Sequence, residues 1–205
     1  KPRIERLHNI FSKELEIAPS YIGEENPDYP RSFFNDKSEI TEEKIEELKN
    51  VNDKIYKDMK YTTDLDEAFS NADLVIEAIA EIVDEKKAFY EKISSHLKED
   101  TIVVSNSSTL LPSQFSEYTK REDKFLNLHF ANNIWRQNVA EVMKHDKTSE
   151  ESFESVVEFA KSIGMYPAIL KKEQPGYILN SLLVPLLDSA LMLYGADIAE
   201  PKDID

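Results

Sequence analysis

One histidine in this sequence stands where an imidazole could do chemistry. His129 lies at the end of a short apolar run, "LNLHF", and Glu141 follows twelve positions later in a second apolar run. An imidazole oriented by a carboxylate can take a proton from an alcohol near neutral pH, because the carboxylate fixes the tautomer and favours the imidazolium. The residues alone leave two plainer alternatives open: a packed His129 bonded to backbone, and a solvated Glu141.

Further polar residues follow the other apolar runs. They are Glu77 and Glu81 after "DLVIEAIAE", Asn106, Ser107 and Ser108 after "TIVVSN", and Asn132 after "FLNLHFAN". Ligands of a doubly wound parallel sheet bind beyond the carboxyl ends of its strands, so we expect these groups at one rim together with His129. The alternative for Asn106, Ser107 and Ser108 is that they cap a helix that starts near Pro112.

Two other chemistries fit the residues less well. Ser108 could be a nucleophile with His129 as its base, but "NSST" lacks the G-x-S-x-G elbow and offers no glycine for a strained turn,. No metal site is predicted, because a ligand spacing such as H-x-x-x-H does not occur among His8, His96, His129 and His145,.

The elements that must position these residues alternate along the chain. The apolar runs "KYTTDL", "DLVIEAI", "TIVVSN", "FLNLHF" and "MYPAIL" predict strands, and the segments between them predict helices,. Such alternation is typical of an α/β fold with a largely parallel sheet. In the last of these helices, Thr148 and Glu151 predict a capping box and Gly164 the end of the helix.

Helical patterns flank this α/β region on both sides. At the beginning, "KPRIERLHNIFSKEL" predicts an amphipathic helix, residues 18–36 a loop, and Thr41 the cap of a long surface helix,. From residue 173 onward the pattern is helical only, so we place a domain boundary between residues 1–172 and residues 173–205. The apolar stretch 177–194 is interrupted by Asn180, Pro185 and Asp188, which favours a buried helix at a domain or subunit contact over a membrane span.

The composition excludes several classes of function. Forty acidic residues against 25 basic ones give a net charge of −15, so no basic field is present to attract a nucleic acid,. Because the chain contains no cysteine, a thiolate nucleophile, a disulfide and a cysteine-ligated metal are excluded, and a cytoplasmic setting is predicted,. The four glycines, Gly23, Gly164, Gly176 and Gly195, do not form the G-x-G-x-x-G turn of a dinucleotide site,.

Five segments together resemble a known family. The segments "NADLVIEAIAE", "TIVVSNSSTLLPSQFSE", "REDKFLNLHFANN", "AEVM" and "KKEQPGYILNSLLVPLLDSAL" are similar to the NAD-dependent 3-hydroxyacyl-CoA dehydrogenases, including the 3-hydroxybutyryl-CoA dehydrogenases. The resemblance runs from about Tyr61 to the end of the chain. It implies a Rossmann-like NAD-binding domain, here without its first strand, glycine turn, helix and second strand, followed by the start of an all-α domain that forms a homodimer. The chain would then be the middle of such an enzyme.

The resemblance also implies roles for individual residues. His129 corresponds to the general base, Glu141 to the carboxylate that orients it, Ser108 to the serine that contacts both the 3-hydroxyl and the nicotinamide, and Asn180 to the asparagine that reaches the substrate. The residues that correspond to cofactor contacts are Glu81, Lys86, Ser108 and Asn132. One departure concerns the segment after the histidine: many members read H-F-F-N-P, whereas this chain reads "HFANN".

Three functions follow as hypotheses. The first is interconversion of an L-3-hydroxyacyl-CoA and a 3-ketoacyl-CoA with NAD(H). The second keeps the chemistry and changes the substrate to a sugar acid such as L-gulonate. The third is an inactive α/β scaffold whose apolar final helix serves assembly, and for a protein that truly begins at Lys1 we expect no NAD binding.

Overall fold

The computed structural model describes residues 2–22 and 29–205 and contains one five-stranded sheet. Its strands, in spatial order, are β1 (Leu74–Glu77), β2 (Ile102–Ser105), β3 (Phe125–Phe130), β4 (Val139–Met143) and β5 (Tyr166–Leu170). Neighbouring strands pair parallel except for β3 and β4, which pair antiparallel. The predicted α/β class with a Rossmann-like, largely parallel sheet is confirmed.

Two helices pack on opposite faces of this sheet. Helix α4 (Val83–Ile93) contributes to a core with alternate strand residues such as Val103 and Phe125. Helix α5 (Glu150–Ser162) packs against their neighbours in sequence, such as Leu126, on the other face. Successive side chains of a strand point to opposite faces, so these apolar strands are covered on both sides, as a parallel sheet requires.

The start of α5 differs by one residue from the prediction. Ser149, not Thr148, is the N-cap, and its Oγ accepts a hydrogen bond of 3.1 Å from the Ser152 backbone N–H. The hydroxyl of Thr148 is buried and donates instead to the carbonyl of Phe125 at 2.7 Å, because a buried carbonyl needs a partner. Gly164 ends the helix as predicted, with a φ of +78° that favours glycine,.

One strand prediction was wrong, and one strand was missed. Residues 60–64, in "KYTTDL", are irregular and lead into helix α3 (Leu65–Phe69), where Asp64 Oδ1 accepts from the Glu67 N–H at 3.0 Å. A polar segment with a strong helix cap therefore ends as a helix start. Strand β4 was not predicted, because Glu141 places a charge in the middle of its short apolar run and breaks the strand pattern.

A helical hairpin precedes the sheet in sequence. It consists of α1 (Pro2–Ile17) and α2 (Glu42–Asp58), and both confirm the predicted helices. Thr41 caps α2 as predicted, with its Oγ1 3.1 Å from the Lys44 N–H. The predicted loop holds a 3-10 turn, Ala18–Tyr21, and bends at residues 29–36, while residues 23–28 lie outside the described part. The hairpin core contains Leu15, Ala18, Tyr21, Phe34, Ile40 and Ile45.

The chain ends in two further helices, α6 (Leu179–Gly195) and α7 (Pro201–Ile204). Helix α6 packs against the sheet only at its beginning, and its side chains are partly or fully exposed within this chain. Its burial at a domain or subunit contact stays a prediction. Within residues 2–22 and 29–205, no helix is both long and apolar enough to cross a membrane. The domain boundary at residue 172 stays a prediction.

Candidate active site

His129 and Glu141 face each other across the antiparallel pair of β3 and β4. The strand register makes them direct partners, and directly opposed residues of neighbouring strands share one face of the sheet. Glu141 Oε2 lies 2.8 Å from His129 Nδ1. Both residues are buried, with 8% of His129 and 0% of Glu141 exposed. The missed strand β4 is thus the element that brings the predicted pair together.

The second oxygen of Glu141 fixes the start of α6. Its Oε1 accepts hydrogen bonds from the backbone N–H groups of Ile178, at 2.7 Å, and Leu179, at 2.9 Å. These are among the N–H groups that an α-helix leaves without an internal partner, and the helix dipole favours a negative charge there. A buried carboxylate is costly unless it is paired and hydrogen-bonded, and both oxygens of Glu141 meet that condition.

Tyr177 lies against the imidazole and was missed from the sequence. Its ring centroid is 5.0 Å from that of His129, and its hydroxyl accepts from Asn127 Nδ2 at 2.6 Å. Burial raises the pKa of the Tyr177 phenol, which therefore stays protonated. The only sequence signal was its place directly after Gly176. In the structure both residues have a positive φ, and such a sharp bend before a helix often positions a side chain.

The turn that carries Ser108 is organised by Glu81. Glu81 Oε1 accepts from Ser107 Oγ at 2.5 Å, from the Ser108 N–H at 3.0 Å and from the Thr109 N–H at 3.3 Å. Burial raises the pKa of the Glu81 carboxyl, but the bond from Ser107 and the charge of Lys86 outweigh burial and bring it below its usual value. The predicted alternative, that Asn106, Ser107 and Ser108 cap the helix near Pro112, does not hold, because Leu111 is the N-cap of the 3-10 helix Pro112–Gln114. Ser107 Oγ instead accepts from the Leu110 N–H at 2.9 Å within the turn.

Lys86 lies behind Glu81 and is enclosed by protein. Only 1% of it is exposed, and its Nζ lies 2.7 Å from Glu77 Oε1 and 3.3 Å from Glu81 Oε2. Glu77 also accepts from the hydroxyls of Tyr90, at 2.6 Å, and Ser105, at 2.8 Å. Sequence reasoning placed Glu77 at the rim but did not find this buried network, because an ion pair inside the core leaves no pattern in sequence.

A cavity of about 520 Å³ opens beside the imidazole. Four predicted site residues line it, namely Ser108, His129, Asn132 and Asn180. The other three, Glu81, Lys86 and Glu141, stand behind them in the bonds described above. Apolar side chains of Phe130, Ala131, Leu179, Leu182, Leu183 and Leu186 complete much of the wall. Polar groups thus converge on an otherwise apolar pocket, as in small-molecule sites.

Asn180 joins α6 to the serine turn. Its Nδ2 donates to the carbonyl of Ser108 at 3.0 Å, which gives the polar residue of an apolar helix the partner it needs. The described residues, 2–22 and 29–205, include no cluster of three or more His, Asp or Glu that could hold a metal ion. The polar side chains that line the cavity carry imidazole, hydroxyl and amide groups.

The sequence of residues 28–174 matches the profile of a family described as "3-hydroxyacyl-CoA dehydrogenase, NAD binding domain". The chain belongs to this 3-hydroxyacyl-CoA dehydrogenase family. The human mitochondrial hydroxyacyl-coenzyme A dehydrogenase is 38% identical over 144 residues, which are 70% of this chain and 46% of the relative. The 3-hydroxybutyryl-CoA dehydrogenase of Clostridioides difficile is 34% identical over 139 residues, which are 68% and 49%. The chain spans about half the length of these curated relatives.

Solved structures agree with this family and fold. A diketoreductase, described as acting on dicarbonyl compounds, superposes with a TM-score of 0.78 at 42% identity over 100% of this chain and 62% of its own. The (S)-3-hydroxybutyryl-CoA dehydrogenase of Ralstonia eutropha superposes with a TM-score of 0.71 at 28% identity over 82% of this chain and 58% of its own. The resemblance predicted from the five sequence segments is confirmed.

The residues present fit one end of the family's cofactor. Ser108 and Asn132 are exposed and line the cavity beside His129, so a hydroxyl and an amide are available to the polar groups of a nicotinamide. The glycine turn that holds the pyrophosphate in such domains does not occur among the 205 residues,. The polar groups that this chain offers to the cofactor therefore lie on the side of the nicotinamide.

Proposed function

We propose that the protein containing this chain interconverts an L-3-hydroxyacyl-CoA and the corresponding 3-ketoacyl-CoA with NAD(H). The observation that carries this proposal is the buried His129–Glu141 pair, with its imidazole at a cavity shared by Ser108 and Asn180. Membership of the 3-hydroxyacyl-CoA dehydrogenase family supports the same reaction.

His129 acts as the general base in the direction of oxidation. Glu141 accepts a hydrogen bond from the Nδ1–H, so Nε2 of the neutral imidazole keeps a lone pair with which it takes the proton of the 3-hydroxyl. Glu141 then stabilises the imidazolium, and the N–H groups of Ile178 and Leu179 keep its carboxylate in place. In the reverse direction the imidazolium returns the proton to the 3-oxygen.

Ser108 and Asn180 orient the 3-oxygen, and Ser108 with Asn132 contacts the nicotinamide. When bound, NAD accepts the electron pair of the substrate C–H bond as hydride. Glu81 holds the Ser108 turn in place by accepting a hydrogen bond from the Ser108 backbone N–H. Direct contacts of Glu81 and Lys86 with the cofactor stay predictions, and Lys86 would reach it only after rearrangement of its ion pair with Glu77.

The experiment is NADH oxidation with acetoacetyl-CoA, using the full-length protein and its His129→Ala variant. We expect turnover by the protein and a loss of roughly 10²–10⁴-fold in kcat for the variant, with NADH affinity nearly unchanged in a fluorescence titration. Full activity of the variant would refute the role of His129. Absence of both NADH binding and turnover in the full-length protein would favour the alternative of an inactive scaffold that serves assembly.

A second substrate class has support of its own. The diketoreductase matches the whole of this chain at 42% identity. In addition, Ala131 leaves room in the cavity wall where many family members carry an aromatic residue. Dicarbonyl compounds without CoA are therefore the second candidate. The three substrate hypotheses are an acyl-CoA, a free dicarbonyl compound and a sugar acid such as L-gulonate. Comparing acetoacetyl-CoA, a free 1,3-dicarbonyl compound and a 3-keto sugar acid as NADH oxidants distinguishes them.

We also retain the proposal that residues 173–205 begin a helical domain through which the protein forms a homodimer. Leu191 and Met192 on α6 are 66% and 73% exposed, and such apolar side chains are common at subunit contacts. Sedimentation of a Leu191→Glu, Met192→Glu variant should show a shift toward monomer. The cytoplasmic setting stays a prediction, and the human relative is named a mitochondrial protein.

A further inference from the structure

The loop between β3 and β4, residues 131–138, forms part of the cavity wall. Ala131, Asn132 and Gln137 line the cavity from this loop, which we call the rim loop. The loop is closed on itself by bonds from the N–H groups of Arg136, at 2.8 Å, and Gln137, at 3.0 Å, to the Asn133 carbonyl. These bonds shape the turn, and Asn138 at its end is tied to the start of β5 through the Tyr166 N–H and to the Gly164 carbonyl.

The helical hairpin holds the rim loop from the side opposite the cavity. Arg136, the only charged residue of the loop, binds Glu14 of α1 through two nitrogens: Nε lies 3.2 Å from Oε2 and Nη2 3.2 Å from Oε1. Nη2 also donates to the hydroxyl of Tyr21 at 3.0 Å. The pair is largely shielded, with 31% of the Arg136 side chain and 13% of the Glu14 side chain exposed, so its geometry is fixed and screening is reduced.

Two further contacts continue this attachment. The indole of Trp135 lies 5.8 Å from the ring of Phe11 on α1. Ser32 donates from its backbone N–H to the Trp135 carbonyl at 3.4 Å, and its hydroxyl donates to the Ile134 carbonyl. Three consecutive residues of the rim loop, 134–136, are therefore bound to the hairpin and its connecting segment, while Asn132 before them and Gln137 after them line the cavity.

We propose that Arg136 is a positioning residue that, through Glu14, sets the rim loop and thereby the width of the substrate cavity. The part that concerns the substrate rests on the proposed function. The hairpin, although distant from the imidazole in sequence, then acts on substrate fit, because a displaced loop moves the wall and not the His129–Glu141 pair.

The position of the loop can be read without substrate, because Trp135 is the only tryptophan of the chain. We would measure the tryptophan emission of the full-length protein at increasing acrylamide concentrations and subtract the emission of its Trp135→Phe variant. The difference gives the quenching constant of this indole. Arg136→Leu and the milder Glu14→Gln should raise the quenching constant of Trp135. A charge-swapped Arg136→Glu, Glu14→Arg variant should restore it, and Glu122→Gln, which alters a separate ion pair with Lys147, should leave it unchanged.

Kinetics then test the effect on the substrate. For Arg136→Leu we expect kcat/KM for acetoacetyl-CoA to fall roughly tenfold to a hundredfold, mostly through KM, with recovery in the charge swap. Unchanged quenching in both single variants, or no recovery in a charge swap that melts like the parent, would overturn the inference. If the parent protein turns over no substrate, the proposed function fails, and the quenching data alone decide whether Arg136 positions the loop.

Discussion

Glu141 in the sheet accepts a 2.9 Å hydrogen bond from the backbone N–H of Leu179, the first residue of α6, with the oxygen that does not face His129. One carboxylate therefore orients the imidazole and anchors the helix that carries Asn180. Glu141 thus affects both the orientation of the imidazole and the closure of the cavity by α6. A substitution at this position should affect both, and the two effects can be separated by the choice of side chain.

Glu141→Gln should reduce kcat roughly 10²–10⁴-fold with little loss of stability. The amide oxygen can still accept from the N–H groups of α6, but its nitrogen then donates to His129 Nδ1 and selects the wrong tautomer. Steady-state kinetics with acetoacetyl-CoA measure the loss. Asp146→Asn, at an exposed carboxylate, is the control, and near-normal kcat in Glu141→Gln would contradict the assigned role.

Lys86→Met should destabilise the fold by about 3–5 kcal/mol, because it leaves the charge of Glu77 buried without its partner. Urea unfolding monitored by circular dichroism gives the difference in free energy. The matched control is Lys92→Met on the exposed side of the same helix, α4, for which we expect less than about 0.5 kcal/mol. Equal stability of the two variants would show that the Glu77–Lys86 pair is dispensable.

Ala131→Phe should narrow the cavity at its lip and change the preference among substrates. Ala131 is 7% exposed and lines the cavity next to Phe130, so an added ring has to occupy part of that space. We expect kcat/KM for bulky dicarbonyl compounds to fall roughly tenfold or more relative to acetoacetyl-CoA. Ala196→Phe, beyond the end of α6, is the control. An unchanged ratio would place the substrate elsewhere in the cavity.

His145 should make the stability of the fold depend on pH. Burial lowers its pKa below the ordinary 6.5, although the charges of Glu173 and Glu122 raise it, and Nε2 has no hydrogen-bond partner among residues 2–22 and 29–205. The unfolded chain therefore takes up the proton more readily. The resulting stability is complete above pH 6.5 and falls as the pH is lowered from there toward the depressed folded pKa.

This dependence can be measured by urea unfolding between about pH 5 and 8. The His145→Gln variant should lose part of the slope of unfolding free energy against pH on the acid side. Identical slopes in the parent and the variant would mean that another group causes the acid sensitivity.

The sequence predicted those parts of the site that lie at the ends of apolar strands. Because β2 and β3 are short runs rich in apolar residues, the rim with Ser108, His129 and Asn132 followed from their ends. Strand β4 escaped prediction because its central residue is a buried charge whose partners, His129 and the start of α6, lie far away in sequence. The local sequence pattern around such a glutamate is typical of a solvated residue.

The supporting residues could not be predicted for a related reason. The Glu77–Lys86 pair and the Glu14–Arg136 pair each consist of two ordinary surface-type residues until the fold encloses them. The apolarity of α6 indicates that the helix needs cover, but it does not tell whether that cover comes from its own chain. The burial of these residues therefore depends on tertiary contacts, which leave no local pattern in the sequence.

The bond between Asn180 and the carbonyl of Ser108 joins residues 72 positions apart. A chain is synthesised from its N-terminus, and its domains begin to fold as they emerge. The sheet with His129 can form while the segment after β5 is still being added, but the carboxylate of Glu141 gains its backbone donors only when residues 178 and 179 arrive. In a nascent chain the carboxylate of Glu141 thus lacks its donors from α6, and the cavity that Asn180 helps to line is complete only once α6 has been made.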